Sequence, residues 1–315
     1  MPAAGPRPAI SARSRRFPGM REQATPLPRR ATAARTTDPR NAVCADDRPA
    51  QTAFSRDGAE TRSRPASTSG RLARRDEEDM MAAPRHLVLV HGAWHGPWCW
   101  ERLVPELERR GWATSAVDLP STWGNPGTGM RDDAQAVREH VESIDGPVTV
   151  LAHSYGGVPV SEVADTLPNV RQLVYLAAHM LEADEAVTSP LGGPWFPLEA
   201  ETAPHLPPHD AFYHDVPAEW AAEAVARLRP QSARVFLDEQ TRASWRTIPS
   251  ALIVCDDDRS IPELFIKRAL RSAEVVRHLP GGHSPFLSRP VELADAIDEV
   301  TFTLATVAGI RVRVP

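Results

Sequence analysis

From His86 onward the chain alternates between short unbroken apolar runs and longer stretches with apolar residues three and four positions apart. His86-Leu87-Val88-Leu89-Val90 has the pattern of a strand covered on both faces. Trp100, Leu103, Val104 and Leu107 fall at i, i+3, i+4 and i+7, which predicts a helix, and Gly111 ends it. Ala113 to Val117 reads as a second strand. Ala134, Val137, Val141 and Ile144 then mark one face of a second helix. Val148 to Ala152 is a third strand, followed by a short helix carrying Val158, Val163 and Leu167. Arg171 to Ala178, Ala251 to Cys255 and Glu274 to Leu279 are further strands. Ser260-Ile261-Pro262-Glu263 reads as a capping box with proline in the first turn of a helix. Leu293, Ile297, Val300 and Leu304 lie on one face of a last helix. Such alternation predicts an α/β fold, a mostly parallel sheet with helices on both faces.

Two segments stand outside this rhythm. Residues 179–246 are rich in proline and dotted with aromatics, among them Trp195, Phe196, Phe212, Tyr213 and Trp220, with one helix at about Pro217 to Leu228. An irregular stretch of that length inside a compact domain is expected to serve as a lid, its aromatics lining an apolar pocket. Residues 1–82 are rich in Arg, Pro and Ala and have few large apolar side chains. They cannot bury enough surface to offset chain entropy, so a disordered tail is expected ahead of a domain at 83–315. Met80-Met81, just before the first strand, would make a natural start, and the tail is then an artefact of start-site choice.

Charge sharpens the division. Residues 1–80 carry net +6, which leaves −11 on the remaining 235. A body that acidic is a poor partner for nucleic acid or an anionic membrane. No apolar run is long enough to span a bilayer. Cys44, Cys99 and Cys255 are odd in number and far apart, which points to a reducing, cytoplasmic setting without a disulfide framework.

The candidate chemistry sits where strands end. Val148 to Ala152 runs through His153 into Ser154-Tyr155-Gly156-Gly157, a strand passing through a sharp turn into a helix. A serine there is exposed at the sheet edge, and small residues two before and two after it, Ala152 and Gly156, let the turn close. Asp256-Asp257-Asp258 follow one later strand and His283 follows another. In a parallel sheet all these loops lie at the same edge. The order serine, acid, histidine is the one used by hydrolases of this sheet type. His91 and His95 beside the glycine turn after the first strand read as structural, bonding to backbone. His205, His209, His214 and Asp215 match no metal-ligand spacing, and the histidines read as solvated loop residues. Neither a metal nor an organic cofactor is expected.

From about residue 84 to 308 these motifs resemble the α/β-hydrolase family, and more narrowly the plant methylesterase and hydroxynitrile lyase group and its bacterial relatives. The matching stretches are His86 to Gly96, the elbow at Ser154, Val254-Cys255 with Asp258-Arg259, Ile261-Pro262, and His283. The resemblance implies Ser154 as nucleophile, His283 as base and Asp258 as acid, with Asp257 the main rival and Asp184 a weaker one. It implies an oxyanion hole from the backbone N–H groups of Ala93 and Tyr155, and a pocket walled by Trp94, Trp195 and Phe212. The Tyr155 ring is also expected in the pocket wall. Where the lyases of this group carry a threonine this chain has Gly92, and where they carry a lysine it has Ser284. Both departures point to an esterase acting on small carboxylic esters. A lyase on the same triad, or a non-catalytic small-molecule receptor on the same fold, are the other readings. Oligomeric state is left open.

Overall fold

The computed structural model describes residues 85–194, 201–204 and 206–307. The expected tail and Trp195 lie outside the described residues. Six strands form one sheet, all neighbouring pairs parallel: β1 Arg85–Val90, β2 Trp112–Val117, β3 Val148–His153, β4 Val170–Leu176, β7 Ser250–Cys255 and β8 Val275–Leu279. Two short strands, β5 Glu201–Thr202 and β6 Gln231–Ser232, pair antiparallel in the segment between β4 and β7. The sheet order is β2-β1-β3-β4-β7-β8.

The apolar runs explain this order. Every residue of β3 and β7 is buried, and so are the last four of β1. The edge strand β8 is exposed at Val276, Arg277 and His278. A strand buried on both faces needs apolar residues throughout, whereas an edge strand tolerates charge. The last helix, Pro290–Val307, buries the four residues that its periodicity marks, Leu293, Ile297, Val300 and Leu304. Among the described residues no helix is long and apolar enough to cross a membrane.

Three boundaries differ from the sequence reading. Pro97–Trp100 is a separate 3-10 turn and the α-helix begins only at Val104, with Pro105 in its first turn. Trp100, Leu103 and Leu107 still meet the core, because two short helical pieces in series keep them on one side. The helix after the elbow, Gly157–Val163, tightens into a 3-10 turn at Ala164–Thr166 before Leu167. Ser260 does not cap the helix Glu263–Ser272: its N–H, like that of Ile261, is held by the Asp258 carboxylate, and Pro262 is the residue before the helix.

The chain visits β1, moves outward to β2, then crosses back to β3 beside β1. That reversal creates a crevice at the carboxyl ends of β1 and β3, where α/β sheets bind ligands. Val90 stands opposite Ala152 in the pairing. Gly92 and Ser154, each two residues further on, therefore leave the sheet side by side.

Candidate active site

Ser154 follows β3 with φ 53, a left-handed conformation that an L-residue adopts only when its surroundings hold it there. Its carbonyl accepts the His179 N–H at 3.1 Å. A β-carbon on Gly156 would lie 2.6 Å from the His91 carbonyl oxygen, so only glycine fits two residues after the serine. Ser154 itself is half-buried at the sheet edge.

Asp258 and His283 meet across the ends of β7 and β8. His283 Nδ1 donates to Asp258 Oδ2 at 2.8 Å, and the two side chains are only 1% and 2% exposed. Asp258 Oδ1 accepts the N–H groups of Ser260 at 2.7 Å and Ile261 at 3.1 Å. Both oxygens are thus directed, and the histidine is left with Nε2 as its open nitrogen. The His283 carbonyl accepts from His153 Nε2 at 3.0 Å, and the two rings lie 4.5 Å apart. Burial pushes His153 well below the ordinary histidine range, so it is neutral. With its proton on Nε2, the buried His153 Nδ1 has no hydrogen-bond partner among the described residues.

The turn after β1 is fixed by its own histidines. His91 Nδ1 donates to the Gly92 carbonyl at 2.8 Å, and His95 Nδ1 to the Ala93 carbonyl at 2.7 Å. Both act on backbone, as the sequence suggests. Burial lowers His95 to about 3, so its Nε2 is an acceptor, and Tyr213 O–H donates to it at 2.8 Å. Trp94 has φ 62, and its N–H donates to Gln231 Oε1 at 3.1 Å. Tyr213 and Gln231 both come from the long insertion between β4 and β7. So does Phe212, whose ring lies 5.8 Å from Trp94 and 5.7 Å from His283. Phe236 lies 5.6 Å from Trp94 on another side.

Of the rival acids, Asp257 is exposed, and Asp184 is exposed with its N–H bonded to the Gln240 carbonyl. Neither is bonded to His283. The Tyr155 ring does not serve as an open pocket wall: it is 1% exposed and its O–H donates to Asp133 at 2.7 Å. Asp215 is a half-buried tie between the insertion and the loop before His283. Its Oδ2 accepts the Gly282 N–H and pairs with Arg289, both at 2.9 Å. His214 Nε2 donates to the Asp257 carbonyl at 3.0 Å. His209 is exposed, and His205 lies outside the described residues. Among the described residues no group of three His, Cys, Asp or Glu side chains is placed to hold a metal.

The sequence reading missed His179, Asp133, Gln231 and the roles of Tyr213 and Asp215. Asp133 alone carried a signal. It stands four residues before Val137 and eight before Val141, on the apolar stripe of its helix, where an acid is costly unless bonded.

A parallel sheet with a left-handed serine after β3 and a buried aspartate–histidine pair at the same edge defines a hydrolase of the α/β class. The alpha/beta hydrolase family model matches residues 87–296, and the chain belongs to that family. It is similar to a probable hydrolase R7 of a Phoma species, 28% identical over 236 residues, covering 68% of this chain and 97% of that one. It is 27% identical over 260 residues to methyl jasmonate esterase 1 of Vitis vinifera, covering 69% of this chain and 96% of the relative. The crystal structure of polyneuridine aldehyde esterase matches with a TM-score of 0.60 at 25% identity, over 70% of this chain and 100% of that one. The resemblance to plant methylesterases read from the motifs therefore holds.

Proposed function

We propose that this protein is a serine esterase that cleaves small carboxylic esters through an acyl-enzyme. The observation that carries the reading is the buried Asp258–His283 pair at the same sheet edge as the left-handed Ser154. Ser154 Oγ attacks the ester carbonyl while His283 Nε2 takes its proton. The proton passes to the departing alcohol as the carbon–oxygen bond breaks. Asp258 holds the imidazole in the tautomer with hydrogen on Nδ1 and stabilises the imidazolium. The N–H groups of Ala93 and Tyr155 face the tetrahedral oxyanion, each worth on the order of 3 kcal/mol. Water, activated by His283, then attacks the acyl-enzyme and Ser154 recovers its proton.

The aromatic surroundings of Trp94, Phe212 and Phe236 favour a small, largely apolar acyl or alcohol group. Two of the three relatives named above are esterases, which supports an ester substrate as well. A lyase reaction fits poorly. Ser284, where the lyases of this group carry lysine, is fully buried, and position 92 has no room for a threonine. The two described cysteines, Cys99 and Cys255, are buried free thiols, in keeping with a reducing, cytoplasmic location.

The test is a panel of p-nitrophenyl esters of increasing acyl length, run beside Ser154→Ala. The variant should keep its fold and lose turnover. Full residual activity would overturn the assignment. An inert wild-type protein that still binds a small ester would favour a receptor on the hydrolase fold.

A further inference from the structure

Asp133 belongs to no part of the triad, yet it is fully buried at the centre of a network that reaches the Tyr155 side chain and the Trp94 N–H, each next to a proposed oxyanion donor. It lies on the helix Met130–Glu142. Its Oδ1 accepts the Ser121 N–H at 3.0 Å, and its Oδ2 accepts the Ser121 O–H at 2.6 Å and the Tyr155 O–H at 2.7 Å. Ser121 Oγ accepts from Gln231 Nε2 at 2.6 Å, and Gln231 Oε1 accepts the Trp94 N–H at 3.1 Å.

The directions in this chain are forced. A carboxylate only accepts, so both hydroxyls must donate to it. Ser121, its hydrogen spent, must then accept from the Gln231 amide nitrogen. That turns the Gln231 oxygen toward Trp94. On the other side of the same peptide, the Ala93 carbonyl is held by His95, which Tyr213 holds in turn. Both polar atoms of the Ala93–Trp94 peptide are therefore taken, beside a Trp94 backbone that is left-handed. The next peptide back carries the Ala93 N–H, and its Gly92 carbonyl is held by His91.

We propose that Asp133, Ser121 and Gln231 are positioning residues for the oxyanion hole. Asp133 anchors the side chain of Tyr155, whose N–H is one donor. Through Ser121 and Gln231 it also anchors the turn that presents the other donor, Ala93. The insertion thereby acts on the chemistry without touching substrate, because Gln231 and Tyr213 grip the turn from both sides. This rests on the esterase reading above, since it assigns a task only if a tetrahedral oxyanion forms there.

The experiment compares Asp133→Asn, Ser121→Ala and Gln231→Ala with wild type and with Ser154→Ala. Asn is nearly isosteric with Asp, but its NH2 group must point at a donor, so the network loses its direction. The readouts are kcat and KM for p-nitrophenyl acetate, and inhibition by an aryl trifluoromethyl ketone, whose serine adduct places an oxyanion in the hole. Melting temperature confirms which variants fold. In folded variants kcat should fall about tenfold or more with KM nearly constant, and ketone affinity should weaken in parallel. Should Asp133→Asn fail to fold, Gln231→Ala at the far end of the chain carries the test. Unchanged kcat and ketone affinity in the folded variants would overturn the proposal, and so would a loss confined to KM. Neither result touches the esterase reading, which falls only if Ser154→Ala stays active or the wild type turns over no ester.

Discussion

Gly92 approaches Ser154 so closely that a β-carbon on the glycine would stand 2.8 Å from Cβ of the serine and 2.9 Å from Nδ1 of His153. Neither neighbour is the loose end of a flexible chain. Ser154 Cβ is set by a left-handed backbone, and the His153 ring is tied to the His283 carbonyl. Gly92→Ala must therefore displace the turn or Ser154, the proposed nucleophile, and a shift of about 1 Å costs on the order of a hundredfold in rate. Gly92→Thr should be worse and should not create lyase activity. Both follow from kcat on p-nitrophenyl acetate and from a mandelonitrile cleavage assay. An active Gly92→Thr variant would show that the turn is softer than this packing implies.

The carboxylates at 256–258 should separate cleanly. Asp258 uses one oxygen for His283 and the other for two backbone N–H groups. An asparagine there has one acceptor for these donors, and either flip sets its NH2 against an N–H. Asp258→Asn should lower kcat by about a thousandfold or more. Asp257 is exposed and serves through its backbone, accepting from His214 and donating to Gly281. Asp257→Asn should stay within about twofold of wild type, the usual range for an exposed substitution away from the chemistry. Parallel kcat measurements decide the matter. Comparable losses in both variants would remove Asp258 as the unique acid.

Asp215 ties the insertion to the loop that carries His283, through the Gly282 N–H and Arg289. Asp215→Ala leaves a half-buried arginine without this partner and the loop without its brace. Leaving such a donor unpaired costs about 1–3 kcal/mol of stability. The expected outcome is a lower melting temperature together with a kcat loss of about tenfold, since His283 Nε2 is less well placed. A stability loss with kcat intact would make Asp215 a purely structural tie.

What the sequence made legible follows from the physics of each signal. Strands buried on both faces must be apolar throughout, so β1, β3 and β7 stood out as runs. The placement of Ser154 and His283 at one sheet edge could be read because parallel topology collects strand ends there. The choice among Asp256, Asp257 and Asp258 could not be read from topology, because all three follow the same strand. It came from family resemblance, and only Asp258 is bonded to His283. Gln231, Tyr213 and Asp215 were out of reach for another reason. Their partners lie 110, 118 and 67 positions away in the chain, inside or against an insertion without periodicity. Trp100 and Ser260 show the limit of local rules. Proline placement moved one helix start, and a carboxylate with a stronger claim took the backbone groups near the other.

The buried histidines give the protein a predictable response to acid. Burial lowers His95 to about 3 and His179 to about 4, and pushes His153 well below the ordinary range. Each takes up a proton on unfolding once the pH drops below about 6.5, so the unfolded state binds more protons and stability falls with pH. At pH 5 each of His95 and His179 costs about 2 kcal/mol relative to neutral pH. Asp133 works in the opposite direction. Burial raises its carboxyl to about 6, so the folded state binds the extra proton between about 3.8 and 6, and this favours folding in acid. One carboxyl does not offset three histidines, so urea unfolding should show stability present above about pH 6.5 and several kcal/mol lost by pH 5. His179→Gln isolates one contribution. Its Nδ1 has no hydrogen-bond partner among the described residues, so the substitution removes a buried titrating group at little cost in bonding. The variant should sit close to wild type at pH 7.5 and above it at pH 5. Equal pH slopes in the two proteins would mean that His179 titrates alike in the folded and unfolded states, and its reading as a buried neutral histidine would fail.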